Sequence, residues 1–369
     1  MILGLNRMSF RNFSKHCLSW LSVVMLLSAI VAAPVWALPQ GNPIKDPKAL
    51  LRYSLPIENP TVRQLQQSLE DISVQLRANR RWGAVTSDLK QADRILSMKH
   101  DQLLATVPDA QKSQAEQFLE QIQTGVTELE QLSETKEKQP VLDKRAQVLD
   151  RIGELEALMV QGFPYEVPKE YSNLPQLKGR ATIAAKTSKG DLTIVVDGFS
   201  APVTAGNFVD LVKRGFYDGL PFTRAEDSYV VQIGDPPGPD VGFIDPQTQK
   251  YRAVPLEILV QGDKVPTYGI TLEDAGRYLD SPVLPFSSYG ALAMARPGED
   301  PNGGSSQFFF FLFEPELTPA GANLLDGRYA IFGFVTDGAD VLGQLKPGDK
   351  IESMKVVDGL ENLVEPQTA

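Results

Sequence analysis

The spacing of apolar residues changes period once along this chain, and that change limits what it can fold into. Between residues 58 and 160 they recur at intervals of three and four, the repeat of one helix face. Val62, Leu65, Leu69, Ile72 and Leu76 form the first such face, begun by Asn59 as cap and Pro60 at the first helical position. A second carries Val85, Leu89, Ala92, Leu96 and Leu103 and stops before Pro108. A third, capped by Asp109, carries Ala115, Phe118, Ile122, Val126, Leu129 and Leu132. A fourth opens at Gln139-Pro140 and carries Leu142, Val148, Ile152, Leu155 and Met159. Four amphipathic helices joined by short loops predict an up-down four-helix bundle over residues 58–160. No helix sustains the heptads of a dimerising zipper. The helices show no inward histidine pair or Glu-x-x-His, so the region reads as a scaffold or docking module.

Residues 161–179 hold three prolines and little periodicity, which predicts an extended linker. After Gly179 the period becomes two. Ala181, Ile183 and Ala185 alternate with polar residues, residues 187–190 turn, and Leu192 to Val196 return as a β-branched strand. A helix starts at Ala201-Pro202 and ends at Gly215. Further strands are expected at residues 290–294, 307–313 and 330–335. The pattern over 180–369 predicts a mostly antiparallel barrel or sandwich with few helices, making the whole an α + β multidomain chain.

The first 37 residues have a different character. Arg7, Arg11 and Lys15 precede an almost wholly apolar run from Leu18 to Ala33, followed by Pro34 and the small-x-small signal Val35-Trp36-Ala37. The run is about 16 residues, short of the roughly 20 that span a bilayer. This predicts a signal peptide cleaved near Ala37 and an exported mature protein that does not span the membrane. Residues 38–57 form a Pro-rich N-terminal extension with a short possible helix at 47–54.

Loss of that leader removes three positive charges and moves the formal charge from −10 to −13. Nucleic-acid binding rests on Lys and Arg neutralising phosphates, so it is not expected here. The one cysteine, Cys17, and one of two histidines, His16, leave with the leader. His100 alone remains. A thiol nucleophile, a Ser-His triad and a His-rich metal site are excluded, and no metal or other cofactor is expected.

The chemistry must then come from other side chains. Residues 217–235 (YDGLPFTRAEDSYVVQIGD) place Arg224 between Phe222 and a strand-like Tyr229-Val230-Val231. An arginine beside a buried strand is either paired structurally or faces a cleft. Three later stretches bear on the choice: residues 289–296 (YGALAMAR), 302–311 (NGGSSQFFFF) and 324–333 (LLDGRYAIFG).

Together, and in this order, these four motifs resemble the cyclophilin family of peptidyl-prolyl cis-trans isomerases over about residues 180–358. The resemblance implies a closed antiparallel β-barrel of eight strands capped by two helices. It implies Arg224 as the catalytic arginine, Gln232 and Gln307 as the groove glutamines, and Phe222, Tyr229, Met294, Phe309, Leu324 and Tyr329 around the proline pocket. Ala295 and Arg296 match the backbone strand that pairs with a substrate peptide. Tyr229 stands where phenylalanine is usual, Leu324 where an aromatic is common, and Tyr329 where histidine is common. The segment 236–286 is roughly two dozen residues longer than in simple members, as binding insertions are.

The leader, helical region, linker and C-terminal domain together are similar to the multidomain thylakoid-lumen cyclophilins of cyanobacteria and plants. In that group the helical domain is similar to a small extrinsic subunit of photosystem II. This implies an isomerase or folding factor of the lumen or periplasm, acting on proline-containing clients in photosystem II assembly or repair. The alternative is a weakly active or inactive assembly chaperone that holds partners through the groove and the helices.

Overall fold

Asn59 starts the helical half as its side chain dictates. Its Oδ1 accepts from the backbone N–H groups of Thr61 and Val62, both at 3.1 Å. The computed structural model describes residues 44–77, 81–246, 248–313 and 323–366, all within one unit, Gly41–Ala369. The expected leader and its cleavage point lie outside the described residues.

The helices are α1 (Pro47–Ser54), α2 (Pro60–Gln75), α3 (Trp82–Met98), α4 (His100–Leu104), α5 (Lys112–Thr135) and α6 (Lys138–Met159). The second expected helix is thus two. Lys99 leaves helical geometry (φ −122°, ψ 26°), and its carbonyl accepts from Gln102 and Leu103 to begin α4. Asp109 does not cap α5; it opens a single 3₁₀ turn and pairs with Lys112. The faces read from the spacing share one apolar core, with Leu65, Leu69, Leu89, Ile122, Val126, Ile152 and Leu155 inside it. Phe118, Leu132 and Leu142 lie at its margin, while Leu119 and Leu149 are within. Helix α2 packs on α3 and α6, and α5 packs on the same two. Gly125 permits the α5–α6 approach: a Cβ there would lie 2.5 Å from Val148 Cγ2.

The second half is an eight-stranded antiparallel sheet in the order β11-β2-β3-β10-β8-β9-β5-β4. Its strands are β2 (Arg180–Thr187), β3 (Gly190–Asp197), β4 (Arg224–Glu226), β5 (Val230–Ile233), β8 (Ala291–Met294), β9 (Phe308–Phe311), β10 (Ile331–Asp337) and β11 (Ile351–Asp358). Two short pairs lie outside it: β1 (Gln176–Leu177) with β12 (Leu363–Val364), and β6 (Glu257–Ile258) with β7 (Thr267–Tyr268).

The expected closed barrel is corrected by this order, because β4 and β11 are edges and not neighbours. Strand β4 is three residues long and Pro221 stands just before it, where a ladder would need an N–H. Among the described residues the gap is spanned by one bridge, Pro221 with Lys350, and by short bonds such as Phe222 N–H to Asp349 O at 2.7 Å.

Side-chain alternation gives the sheet two apolar faces. Ile183, Ile194, Val231, Ile233, Met294, Phe308 and Phe310 meet on the inner face, with Phe208 and Leu211 of helix α7 (Pro202–Lys213). Val230, Phe309, Phe311, Ala291, Ala293, Ile331 and Phe334 face outward. That outer face is partly covered by Leu50 and Leu51 of α1 and by Leu284 and Phe286 of the long insertion.

Candidate active site

Four side chains fall on one row of the outer face. Arg224 on β4 pairs directly with Gln232 on β5, Gln232 with Phe309 on β9, and Phe309 with Ala293 on β8. Directly opposed residues share a face with Cβ atoms about 5 Å apart, so the arginine, the amide and the ring form a continuous strip. Gln307, just before β9, joins it: Gln232 Nε2 donates to Gln307 Oε1 at 2.7 Å. Gln307 Nε2 in turn donates to Asp235 Oδ1 (3.0 Å) and Val241 O (2.9 Å). Both amides are thereby oriented before any ligand arrives.

The far wall is Tyr329, whose ring meets Phe309 edge-on at 5.4 Å. The Arg296 guanidinium lies 5.2 Å from the Tyr329 ring centroid and donates to the carbonyls of Arg328, Pro297 and Gly298. It buttresses the wall, while Ala295, beside it, donates its N–H to Gln307 O and packs on the outer cluster.

Three expected pocket residues are elsewhere. Met294 pairs with Phe308, not Phe309, and lies in the inner core. Phe222 is buried in that same core. Leu324 is 86% exposed; its neighbour Leu325 is the one that packs on the outer cluster. Tyr229 stands at the edge, 37% exposed, in the tight turn where its N–H bonds Glu226 O and Ser228 takes φ 57°.

Two residues that the motifs did not single out take part. Val230 lies on the groove face with Phe309, and its place two residues before Gln232 was the available signal. Phe286 stacks on Phe309 (6.1 Å, 6° between planes) and meets Phe311 edge-on at 5.1 Å. Phe309 is consequently only 6% exposed. Asp326 holds Phe286 there by accepting its N–H at 2.8 Å, and Asn323 N–H bonds the other oxygen at 3.2 Å. Burial pushes the Asp326 carboxyl up to about 6 against the pull of those two bonds.

Arg224 is half exposed and bound to its own strand: Nε and Nη2 both reach Glu226 Oε1, at 2.6 and 2.5 Å. Among the described residues, no cluster of three or more His, Cys, Asp or Glu is arranged to hold a metal. The strip offers a fixed cationic donor, paired amides and a shallow apolar floor, a combination suited to holding a peptide and polarising one of its bonds.

Known proteins match both halves. Residues 46–160 match the family described as peptidyl-prolyl cis-trans isomerase CYP38-like, PsbQ-like domain. Residues 182–361 match cyclophilin type peptidyl-prolyl cis-trans isomerase. The chain is 57% identical over 359 residues to the Synechocystis sp. protein sll0408, provisionally named a thylakoid lumen peptidyl-prolyl cis-trans isomerase, covering 94% of each. It is 47% identical to the chloroplastic peptidyl-prolyl cis-trans isomerase CYP38 of Arabidopsis thaliana, over 91% of this chain and 79% of that one. The Arabidopsis chloroplastic isomerase CYP37 is 33% identical, over 86% and 70%. These matches run through both the helical region and the sheet, and the chain therefore belongs to the cyclophilin-type peptidyl-prolyl cis-trans isomerases, in the group that joins a PsbQ-like helical domain to the cyclophilin domain.

Proposed function

We propose that Arg224 is the catalytic residue with which this chain turns X–Pro bonds of exported proteins. The observation that carries the reading is the single row Arg224–Gln232–Phe309. Rotation about a peptide bond costs about 18–20 kcal/mol because resonance is lost. In the twisted state the prolyl nitrogen becomes pyramidal and regains a lone pair. A guanidinium donating to that lone pair favours the twisted state over either planar isomer. Arg suits the task because it stays charged and its fork is rigid. The pyrrolidine ring would rest on Phe309, Val230 and Tyr329, the flanking carbonyl would take Gln232 or Gln307, and the backbone at Ala295 and Arg296 would pair with the peptide. No nucleophile, metal or cofactor enters the step.

In this reading residues 58–160 are a bundle of the four long helices α2, α3, α5 and α6, with the short α4 between α3 and α5, used for docking; 161–179 are a linker and 180–369 the catalytic domain. Residues 1–37 direct export, with cleavage near Ala37, to a thylakoid lumen or periplasm; the names of the relatives, one thylakoid-lumenal and one chloroplastic, support the lumen. The PsbQ-like family match supports photosystem II subunits as clients. A second reading, a chaperone that binds without turnover, draws on the coverage of Phe309 by Phe286 and the exposure of Leu324.

A protease-coupled proline-peptide assay on the full mature chain separates them. Arg224→Ala is expected to lower kcat/KM by about a hundredfold, the scale of losing one transition-state donor. An unchanged rate rules out Arg224. Peptide binding without turnover in the wild type supports the chaperone.

A further inference from the structure

Alternation along β4 puts Arg224 and Glu226 on the same face, with Ala225 turned to the inner core between them. The Glu226 backbone is pinned, since its carbonyl accepts the N–H of Tyr229 in the tight turn. Its cross-strand partner is Val230, which offers no competing charge. Its carboxylate is therefore left to Arg224, and one oxygen takes both Nε and Nη2. A guanidinium has five N–H groups in one plane. The Nε–H is spent in a hydrogen bond and Nη2 is held against the same oxygen by charge, which leaves the Nη1 N–H groups for a ligand in an orientation that the pair defines. Both side chains are 49% exposed, so the pair adds little to stability. What it does supply is direction, because a long arginine on a short edge strand has many other rotamers.

We propose that Glu226 is the positioning residue of Arg224: it clamps the guanidinium by its Nε–Nη2 edge and leaves the other N–H groups to meet the prolyl nitrogen. The proposal rests on Arg224 being catalytic, and the experiment separates the two. Full-length wild type, E226A, E226Q, R224A and R224A/E226A are assayed for kcat and KM, with thermal melts and the NMR signal of the Arg224 Nε–H. E226A is expected to lower kcat about fivefold with KM held within about twofold, the pattern of an effect felt in the transition state alone. Its melting temperature should not move. E226Q, whose amide oxygen accepts the same bonds, should stay within about twofold of wild type. The Nε–H signal should keep its hydrogen-bonded shift in E226Q and lose it in E226A, a readout that needs no turnover. Adding E226A to R224A should cost nothing more. Wild-type kcat and an unmoved signal in E226A overturn the proposal. So does an E226Q as slow as E226A, since charge rather than placement would then be at work. R224A at the wild-type rate instead removes the catalytic reading of Arg224 itself.

Discussion

Met294 and Ala293 are chain neighbours that face opposite sides of β8, because one pairs with Phe308 and the other with Phe309. The consequence is that Met294 fills the core while Val230 borders the groove. Met294→Ala should cost about 2–5 kcal/mol in a denaturant melt, as loss of a buried side chain does. Its KM for a proline peptide should match that of wild type. Val230→Ala should instead raise KM at a smaller stability cost; a KM effect confined to Met294→Ala would reverse the assignment. Of the strip, the residues alone single out Arg224, a charge beside a buried strand, whereas Gln232, Gln307 and Phe309 are named through the family resemblance. Which apolar residue faces the groove was not legible. Residues 291–294 and 308–311 are buried on both faces, so they lack the polar alternation that marks a side. Nothing in the sequence marks Glu226, because its partner is fixed by strand parity.

At the scale of elements, the long insertion ends by delivering Phe286 to the back of Phe309. The loop at 323–326 holds that residue at both backbone ends: Asp326 takes its N–H, and the Asn323 side-chain amide reaches its carbonyl at 3.4 Å. Phe286→Ala should destabilise the protein by about 3–5 kcal/mol, since a stacked ring is lost from a buried site. It should also free Phe309 to change rotamer and so raise KM more than it lowers kcat. A melt shifted as expected with unaltered KM would show the ring to be packing alone. The helices were legible because their apolar period extends over many turns, whereas this contact joins segments 40 residues apart in the chain. The break at Lys99 was missed for a related reason: the apolar stripe continues through Leu103 even though the backbone restarts.

Across the whole molecule, the two halves meet through buried charge as well as apolar surface. Ser54 at the end of α1 donates to Asp197 Oδ2 at 2.9 Å, and Arg180 bonds Asp197, Ser54 and the Leu51 carbonyl. Nearby, Arg63 Nη1 reaches Glu156 Oε1 at 3.0 Å, while Glu156 Oε2 has no hydrogen-bond partner among the described residues. Burial outweighs the neighbouring Arg63, Arg52 and Arg180 and pushes Glu156 up to about 7. Burial likewise pushes Glu257 up to about 7, although it caps α7 by accepting from the N–H groups of Val203 and Thr204. With Asp326 at about 6, three buried carboxyls sit above their unfolded values. Each raised group favours the folded state when protonated. Its contribution is complete below the unfolded value near 4 and is lost as pH rises through 6 to 7. Asp109, Asp227 and Asp349 are shifted down by their partners and act the other way, but only below their ordinary range near 4. Between pH 8 and pH 5 the first set governs. Melting temperature followed by circular dichroism should therefore climb as the solution is acidified across that window. The rise should be about 1–1.5 °C for each kcal/mol regained, since unfolding entropy near 2.1 cal/mol/K per residue is summed over more than 300 residues. Glu257→Gln should flatten the climb by removing one titrating group while keeping an oxygen for the α7 N–H groups. A melting temperature that falls steadily from pH 8 to pH 5 would mean that these carboxylates are stabilised as anions and that the arginines at the junction, not burial, set their state.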